Sequence, residues 1–493
     1  MKIFRPRTSV LLGCLACTLH FMAGCGSRLA GTAPEPPAQI AATPIVDRAN
    51  VIIFLPDALR ADHVGAYGYE TDTTPNIDAW AQKAFVFENC YSQAPWTKPS
   101  VAAMLTGYVS EVHQAVASQM ESNDKNARVQ ILRDIFDTLP ERFQAAGYQT
   151  AMFMMNGHCQ REYGFAQGID HYWFRHFVAP DLQMNEALTW LEGAAGEPFF
   201  MYIHLRDPHG PYEPPADVYA NLFGEMPELS EDDRRILENY GAYYGAATQN
   251  APGPDGLHLK DLSPEGLTYL KNNYDAEIRS IDTQFQRLLD KLTELGIQDR
   301  TYIAFTSDHG EEFNERGNIG HGRSLHNELL HVPLILGLAG GGAGTRVGEV
   351  VRMFDLYPTL LTVAGLEAPA DIQAESLFTE DGKLAATENR LAFSARDKLK
   401  PDQSVWWVSL IDGYLKVIYY RDKNRYDFFN LGIDPLEKAS TPAMMAFQRD
   451  ALLKKLEAQV AENKRLAEKF GPPEWNVYDE ETEAQLRALG YLE

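Results

Sequence analysis

Five short apolar runs constrain the fold of this chain most strongly. The first is V-I-I-F-L from Val51, and the others occupy residues 150–155, 199–203, 302–306 and 332–336. Continuous apolar runs of this length are typical of strands buried on both faces of a sheet. Stretches with helical spacing separate them, so the sequence predicts an α/β fold with a doubly wound, mostly parallel sheet flanked by helices.

Beyond residue 385 the pattern of apolar residues changes. Four short β-like runs lie there, at 391–394, 405–411, 414–420 and 426–429. They predict a small antiparallel sheet with a hairpin at Asp412-Gly413, followed by a long C-terminal helix within residues 443–470. Another helix is predicted over residues 264–295, where apolar side chains recur at intervals of three and four.

The segment 215–264 is longer than a tight loop requires. We expect it to form a partly helical insert that covers the substrate-binding pocket. Its tyrosines Tyr240, Tyr243 and Tyr244 either form a wall for the substrate or pack as the small core of the insert itself.

The N-terminus predicts export and lipid anchoring. Basic residues from Lys2 to Arg7 precede a mostly apolar stretch that is too short and interrupted to span a membrane, which is typical of a secretory signal. The stretch ends F-M-A-G-C, which resembles a bacterial lipobox, so we expect residues 1–25 to be a signal whose Cys25 is lipidated. A plain cleaved signal and an uncleaved anchor are the alternatives. The protein is then expected in the bacterial cell envelope, lipid-anchored to the membrane and facing the periplasm or the exterior.

The remaining chain divides by composition into three parts. Residues 26–49 are rich in Pro and Ala and predict a flexible tether. Residues 50–385 are predicted to form the catalytic α/β domain, and residues 386–493 a C-terminal subdomain with antiparallel strands and a helix. Of the five cysteines only Cys90 and Cys159 lie in these folded parts, where they either form a disulfide or remain two buried thiols.

The charge of the chain restricts its partners. Lys plus Arg number 44 against 68 Asp plus Glu, a formal charge of −24. Removal of residues 1–24, which hold three positive and no negative side chains, makes the charge −27. Such a chain repels polyanions at long range, so nucleic acids are disfavoured as partners. We expect a small-molecule ester or one linked to a lipid or glycan, and low activity on densely sulfated polymers.

Polar side chains at the ends of the apolar runs predict a metal site. Asp57 follows the first run, and Asp308 and His309 follow the fourth. Ligands in open α/β sheets bind at the carboxyl ends of strands, where these side chains would meet. Two carboxylates and an imidazole suit Mn²⁺ or Zn²⁺ and, with further oxygens, Ca²⁺. Taken singly, each aspartate is equally typical of a helix cap or a turn.

A series of longer motifs runs along the chain from its first strand to its end. They are N-V-I-I-F-L-P-D-A-L-R-A-D-H from Asn50, T-T-P-N-I-D-A-W-A from Thr73, W-T-K-P-S-V-A-A-M-L-T-G from Trp96, D-P-H-G-P-Y from Asp207, Y-D-A-E-I from Tyr274, T-S-D-H-G-E-E from Thr306, G-H-G at Gly320, H-V-P-L-I from His331, and the tail L-R-A-L-G-Y-L. Through these motifs, in their order and spacing, the chain from Val51 to Glu493 resembles the sulfatase branch of the alkaline phosphatase superfamily. The resemblance implies a metal-assisted hydrolase of this fold with a small C-terminal antiparallel subdomain. It also implies a nucleophile in the C/S-x-P-S-R signature, which falls on Thr97.

The chain departs from this family at three positions. Sulfatases oxidise the Cys or Ser of the signature to formylglycine, but Thr97 is a secondary alcohol and cannot give that aldehyde. Val101 replaces the signature Arg, and Ala58 replaces the second carboxylate of the first motif. A sulfated Thr97 has no built-in release, whereas phosphoryl or phosphonyl transfer through a metal-activated hydroxyl remains chemically accessible.

The resemblance also implies roles for individual residues. One metal is expected, held by Asp57, Thr97, Asp308 and His309; a site with two metals would need further ligands such as Asp207, His209 and His321. His209 is the expected general acid. The candidates for binding the anionic substrate are Lys98, His321, His113 and Asn156.

The predicted function is a metal-dependent hydrolase of phosphodiester, phosphonate or related esters that acts through a covalent Thr97 intermediate. Three alternatives remain open. They are a sulfatase that uses unmodified Thr97, a phosphotransferase that passes the group to an acceptor alcohol, and a binding protein without catalytic activity.

Overall fold

A computed structural model describes residues 42–116, 118–119, 128–176, 178–248, 252–385, 390–396, 407–440 and 444–488. The predicted signal, Cys25 and most of the tether lie outside these ranges, as does the end of the L-R-A-L-G-Y-L tail. Lipid anchoring and the domain boundaries therefore stay predictions. Within the described ranges, no helix combines the length and apolar character that crossing a bilayer requires.

A mixed sheet of eight strands forms the centre of the fold. Its strands are β1 (Asn50–Pro56), β2 (Phe85–Tyr91), β3 (Gln149–Met154), β4 (His171–Phe174), β5 (Phe199–Leu205), β6 (Thr301–Thr306), β7 (Leu334–Leu338) and β8 (Thr345–Arg352). They lie side by side in the order β8-β2-β7-β6-β1-β5-β3-β4. Every strand except β7 runs parallel to β1, so the predicted mostly parallel sheet is confirmed.

Strand β7 runs antiparallel to both of its neighbours, β6 and β2. A parallel return would need a crossover connection, usually a long helix. The chain between β6 and β7 instead holds a small hairpin, formed by Glu312–Phe313 and Ile319–Gly320, and the one-turn helix Asn327–Leu330. The connection therefore returns β7 in the opposite direction.

Helices cover both faces of the sheet. They are α1 (Pro75–Ala81), α2 (Thr97–Thr106), α3 (Ser110–His113), α4 (Leu139–Ala145), α5 (Pro180–Ala194), α6 (Ala216–Phe223), α7 (Glu231–Glu238), α8 (Tyr240–Thr248), α9 (Pro264–Glu294), α10 (Asn327–Leu330), α11 (Leu356–Val363), α12 (Ala446–Phe470) and α13 (Glu480–Ala488). Alternate residues of β1 enter two different cores: Val51 and Ile53 pack on one side, Ile52 and Phe54 on the other. This alternation of a fully buried strand is the signature of a doubly wound sheet.

The C-terminal region forms the predicted antiparallel sheet. Its four strands, β9 (Leu391–Arg396), β10 (Trp407–Asp412), β11 (Leu415–Tyr420) and β12 (Arg425–Asn430), pair in sequence order. Asp412 pairs with Leu415 across the hairpin turn, where Gly413 has a φ of 59°. Helix α12 packs against β10 and β11.

The insert holds the helices α6, α7 and α8, which agrees with the partly helical prediction. Two of its tyrosines have different surroundings. Tyr243 donates a hydrogen bond to Asp255 Oδ1 (2.5 Å) and so belongs to the core of the insert. The Tyr244 hydroxyl instead lies 3.2 Å from Nδ1 of His321, which is outside the insert.

Candidate active site

Two neighbouring strands bring two carboxylates to one edge of the sheet. Asp57 directly follows β1, Asp308 lies two residues beyond β6, and the two strands pair in parallel. Both side chains are buried. Asp57 Oδ1 and Asp308 Oδ2 accept no hydrogen bond from the described residues. Because a buried carboxylate oxygen without a partner is costly, the pair is suited to hold a cation.

Two imidazoles complete this cluster. His309 Nε2 lies 3.4 Å from Asp57 Oδ1 and 3.5 Å from Asp308 Oδ2. His204, near the end of β5 on the other side of β1, places Nε2 3.2 Å from Asp57 Oδ2. One ligand atom each from Asp57, His204 and Asp308 lies within 4.8 Å of the others. The cluster is consistent with a divalent-metal site and does not identify the ion.

His204 is not among the ligands predicted from the sequence. It lies inside the strand F-F-M-Y-I-H-L, in which every residue is buried, and such a pattern equally suits a histidine packed in the core. Its Nδ1 is 2.7 Å from the Tyr202 hydroxyl, which orients the ring. The signal that points to His204 is its position beside Asp57 at the carboxyl edge of the sheet.

The charges of this cluster are strongly coupled. Burial opposes ionisation of Asp57, but the imidazoles of His209, His204 and His309 outweigh it and hold the pKa of Asp57 well below its usual range. Burial and the charge of Asp57 raise the pKa of Asp308. Burial lowers the pKa of His309, but Asp308 and Asp57 reverse this effect and raise it overall. Two carboxylates that compete for the same positive groups are the electrostatic setting that a bound cation relieves.

Thr97, the predicted nucleophile, is the first residue of α2 and lies beside these carboxylates. Its Oγ1 is 3.3 Å from His309 Nε2 and accepts a hydrogen bond of 3.2 Å from Asn156 Nδ2. Asn156 also donates to Asp57 Oδ2 at 2.9 Å. His309 Nδ1 donates to the Gly310 carbonyl (2.8 Å), so Nε2 of the neutral ring carries a lone pair. Asn156 thus ties the hydroxyl to the carboxylate cluster.

The other signature positions have structural roles. Ser100 Oγ donates to the Asp308 carbonyl (2.6 Å), which fastens α2 to the loop after β6. Val101, where the family has Arg, is fully buried in the apolar core. Ala58, where the family has a carboxylate, has a φ of 62°, and its amide donates to Asp308 Oδ1 (3.2 Å). A non-glycine residue in the left-handed region is uncommon, so the surrounding structure holds this turn in place.

The rings of His209 and His321 lie next to this cluster. The ring of His321 lies 4.4 Å from that of His309 and 4.7 Å from that of His209, measured between centroids. His321 Nδ1 is 2.9 Å from Oε1 of the buried Glu311, which also accepts from Tyr212. Burial lowers the pKa of His209 to about 4 and that of His321 well below its usual range, and burial raises the pKa of Glu311 to about 7. Glu311 is not among the residues predicted from the sequence.

Two predicted substrate-binding residues have other surroundings. Lys98 is 0% exposed, and its Nζ has no hydrogen-bond partner in the described ranges. Burial lowers the pKa of Lys98 to about 7. His113 uses both ring nitrogens on the backbone, donating to the Pro99 carbonyl (3.1 Å) and accepting from the Ala115 amide (3.1 Å).

The two cysteines of the described chain are not paired. Cys90 and Cys159 are separate buried thiols. Of the two arrangements open from the sequence, the structure therefore has two free thiols. Burial raises the pKa of both, which keeps them protonated.

Comparisons with known proteins agree with this architecture. The family model named Sulfatase matches residues 49–366. N-acetylglucosamine-6-O-sulfatase of Bacteroides thetaiotaomicron is 25% identical over 472 positions, covering 79% of this chain and 82% of the relative. The multifunctional alkaline phosphatase superfamily protein PehA of Trinickia caryophylli is 26% identical over 503 positions, covering 83% of this chain and 95% of the relative.

A solved structure shows the same fold. The phosphonate monoester hydrolase of Agrobacterium radiobacter has a TM-score of 0.66 at 20% identity, covering 84% of this chain and 96% of that one. The family model spans well over half of the chain, from the strand that bears Asp57 through the loop that bears Asp308 and His309. The chain therefore belongs to the sulfatase family of ester hydrolases, within the alkaline phosphatase superfamily.

Proposed function

We propose that this protein hydrolyses a phosphodiester, a phosphonate ester or a related ester by transferring the phosphorus group to Thr97 and then to water. The observation that carries the proposal is the position of the Thr97 hydroxyl. It lies between Asn156 and His309, next to two buried carboxylates whose free oxygens accept no hydrogen bond from the described residues. An alcohol held beside a cation site is the arrangement that metal-assisted nucleophilic catalysis requires.

The metal is proposed to bind to Asp57 and Asp308, with the imidazoles of His309 and His204 as nitrogen donors and the Thr97 oxygen adjoining. Carboxylate and imidazole donors together suit Mn²⁺ or Zn²⁺, and additional oxygens would suit Ca²⁺. When bound, a divalent cation acts as a Lewis acid that polarises the ester and lowers the pKa of a neighbouring hydroxyl. One cation matches the residues that converge here.

The side chains orient and move the reacting groups. The Asn156 amide fixes Thr97 Oγ1, so that this oxygen can attack phosphorus while the bond from phosphorus to the leaving oxygen breaks. As it attacks, Thr97 Oγ1 releases its proton to water, and the leaving oxygen takes the electron pair of the broken bond and a proton from His209 Nε2. A water molecule then attacks phosphorus and gives a proton to His209 Nε2. The bond to Thr97 Oγ1 breaks, and that oxygen takes the electron pair and a proton from water, which restores the hydroxyl.

His209 can serve as the general acid only when the substrate is bound. Burial lowers its pKa to about 4, so the ring is neutral in the free protein near pH 7. Its Nδ1 donates to the Gly210 carbonyl (2.6 Å), which directs Nε2 away from that carbonyl. A negatively charged ester beside the ring favours its protonated form, so His209 gains its proton together with the substrate.

Hydrolysis of a sulfuric ester is the second candidate function. Its support is the similarity to the N-acetylglucosamine-6-O-sulfatase of Bacteroides thetaiotaomicron. The chemistry of Thr97 counts against it, because a secondary alcohol gives no aldehyde hydrate to expel sulfate. The two functions make opposite predictions for a panel of substrates with one leaving group.

The test uses protein that begins at Gly26, analysed for bound metal and offered para-nitrophenyl esters of four classes: phosphodiester, phosphonate monoester, phosphate monoester and sulfate. We expect turnover of the phosphodiester or the phosphonate, loss of turnover in Thr97→Ala, and a phosphorylated Thr97 peptide in quenched reactions analysed by mass spectrometry. Thr106→Ala, at the other end of α2, is the matched control. Dominant sulfate turnover that depends on Thr97 would refute the phosphorus preference, and a protein without metal or turnover would favour a binding role.

A further inference from the structure

Two arginines from different parts of the chain meet beside the loop that carries His321. Arg323 lies two residues beyond His321, and Arg396 is the last residue of strand β9 in the C-terminal sheet. Both side chains are half-buried. Arg396 Nε is hydrogen-bonded to the carbonyl of Gly322, the residue before Arg323, which places Arg396 beside the backbone of Arg323. Burial and then the positive charge of Arg323 lower the pKa of Arg396 to about 10.

Two hydrogen bonds connect Arg396 to the segment just before Thr97. Arg396 Nε donates to the Gly322 carbonyl at 2.8 Å, and the Gly322 amide donates to the Pro95 carbonyl at 2.9 Å. Pro95 lies two residues before Thr97. Gly322 has a φ of 78°, a left-handed conformation that suits glycine. This tight turn therefore sets both arginines at the side of the site where Thr97 lies.

The surroundings of the pair hold it in place, and the carboxylates of Asp422 and Glu312 offset only part of its positive charge. The Arg396 guanidinium stacks on the Trp407 ring at 4.4 Å from the ring centroid, which fixes its plane. The charge of Arg323 also acts on His321 and on Tyr240 of the insert. Within the described ranges, neither guanidinium forms an ion pair with a carboxylate.

Two adjacent cations without an ion-pair partner are unfavourable unless an anion joins them. Guanidinium groups offer planar, paired donors that match oxyanions. We infer that Arg323 and Arg396 form an oxyanion subsite that receives a second negatively charged group of the substrate. This inference rests on the proposed function, in which the first anionic group is the ester that reacts at Thr97.

The substrate class follows from this geometry. It is an ester whose alcohol or acyl part carries a further oxyanion, either a carboxylate or a second phosphate or sulfate group. The subsite combines the turn after the small hairpin of Glu312–Phe313 and Ile319–Gly320 with the C-terminal sheet, so that sheet contributes to specificity as well as to folding. The net negative charge of the chain, −24, makes a local positive site of this kind selective for small anions that can enter it.

Turnover of two matched substrates tests the subsite. Para-nitrophenyl phenyl phosphate and its meta-carboxyphenyl analogue share a leaving group and differ in one carboxylate. We expect the carboxylate to raise kcat/KM about tenfold in the wild-type protein, and Arg323→Gln to abolish most of this preference. Lys423→Gln removes an exposed cation 5.5 Å from the centroid of the same Trp407 ring and is the matched control, which should keep the preference.

A binding measurement separates this inference from the proposed function. Titration calorimetry with phenylphosphonate and meta-carboxyphenylphosphonate, using the Mn²⁺-loaded protein, requires no turnover. Tighter binding of the carboxylated ligand that is lost in Arg323→Gln supports the subsite even if neither diester reacts, an outcome that would refute only the hydrolase proposal. Equal binding of both ligands by the wild type, or a preference that survives in both Arg323→Gln and Arg396→Gln at unchanged Tm, would overturn the subsite.

Discussion

Replacement of Lys98 by Met tests the electrostatics of the helix that carries Thr97. Lys98 is fully buried, and its Nζ forms no hydrogen bond with the described residues. Burial lowers the pKa of Lys98 from 10.5 to about 7. We expect Lys98→Met to stabilise the protein at neutral pH, because Met has a similar length and no charge that must be desolvated.

The magnitude follows from the pKa of Lys98. A difference of one in pKa corresponds to about 1.4 kcal/mol, so a change from 10.5 to about 7 costs the folded state up to roughly 5 kcal/mol at neutral pH and below. Between these two pKa values the unfolded chain binds a proton that the folded chain does not bind. The stability of the wild type therefore rises with pH through this window, and the cost disappears above the upper value.

Urea unfolding of the wild type and of Lys98→Met at about pH 7 and about pH 10 measures this effect. The variant should be more stable at the lower pH, by an amount up to that limit, and the difference should shrink at the higher pH. An advantage of the variant that is independent of pH would show that packing, rather than charge, is responsible. A wild type that is more stable than the variant at neutral pH would refute the reasoning, because it would mean that the amine has a partner in solution.

Three further substitutions probe the site. His204→Ala should weaken retention of divalent metal roughly 10- to 100-fold, measured by metal analysis after dialysis, with the exposed His171→Ala as control. Ala58→Asp should tighten Mn²⁺ binding in calorimetry and lower the Tm of the metal-free protein, because it adds a third buried carboxylate at a φ of 62° that Asp tolerates. Asn156→Ala should lower kcat about 100-fold with little change in KM, since Thr97 loses the donor that positions it. A rise in KM as large as the fall in kcat would indicate a binding role instead.

The sequence predicts a strand most clearly when that strand is buried along its whole length. Strands β1, β5 and β6 are buried along their whole length and appear as continuous apolar runs. The edge strand β4 has no fully buried residue, the edge strand β8 mixes buried and exposed positions, and β2 contains Glu88 and Asn89. No continuous apolar run therefore marks these three strands. The direction of β7 depends on the fold of the connection before it, which the apolar pattern of the strand does not contain.

The sequence likewise predicts only part of the candidate site. Position at a strand end predicts that Asp57, Asp308 and His309 converge, because the carboxyl ends of adjacent parallel strands meet. The orientation of a side chain within an element is not encoded in this pattern. Lys98, next to Thr97 on α2, is therefore fully buried with no hydrogen-bond partner for Nζ among the described residues, and His204 faces Asp57 although every residue of its strand is buried.

The charge of the site predicts a preference among phosphorus esters. The single divalent cation proposed for the site would be balanced by the two carboxylates Asp57 and Asp308, and the pKa of about 7 for Lys98 leaves that amine partly neutral. The family's second carboxylate and its Arg are replaced by Ala58 and Val101, which removes one charge of each sign and leaves the balance unchanged. A substrate with one negative charge, such as a diester or a phosphonate monoester, meets a nearly neutral centre, whereas a phosphate monoester brings nearly two charges at pH 7. We expect kcat/KM for the diester to exceed that for the monoester about tenfold or more, and a faster monoester with the same para-nitrophenol leaving group would show that further cations reach the reacting phosphorus.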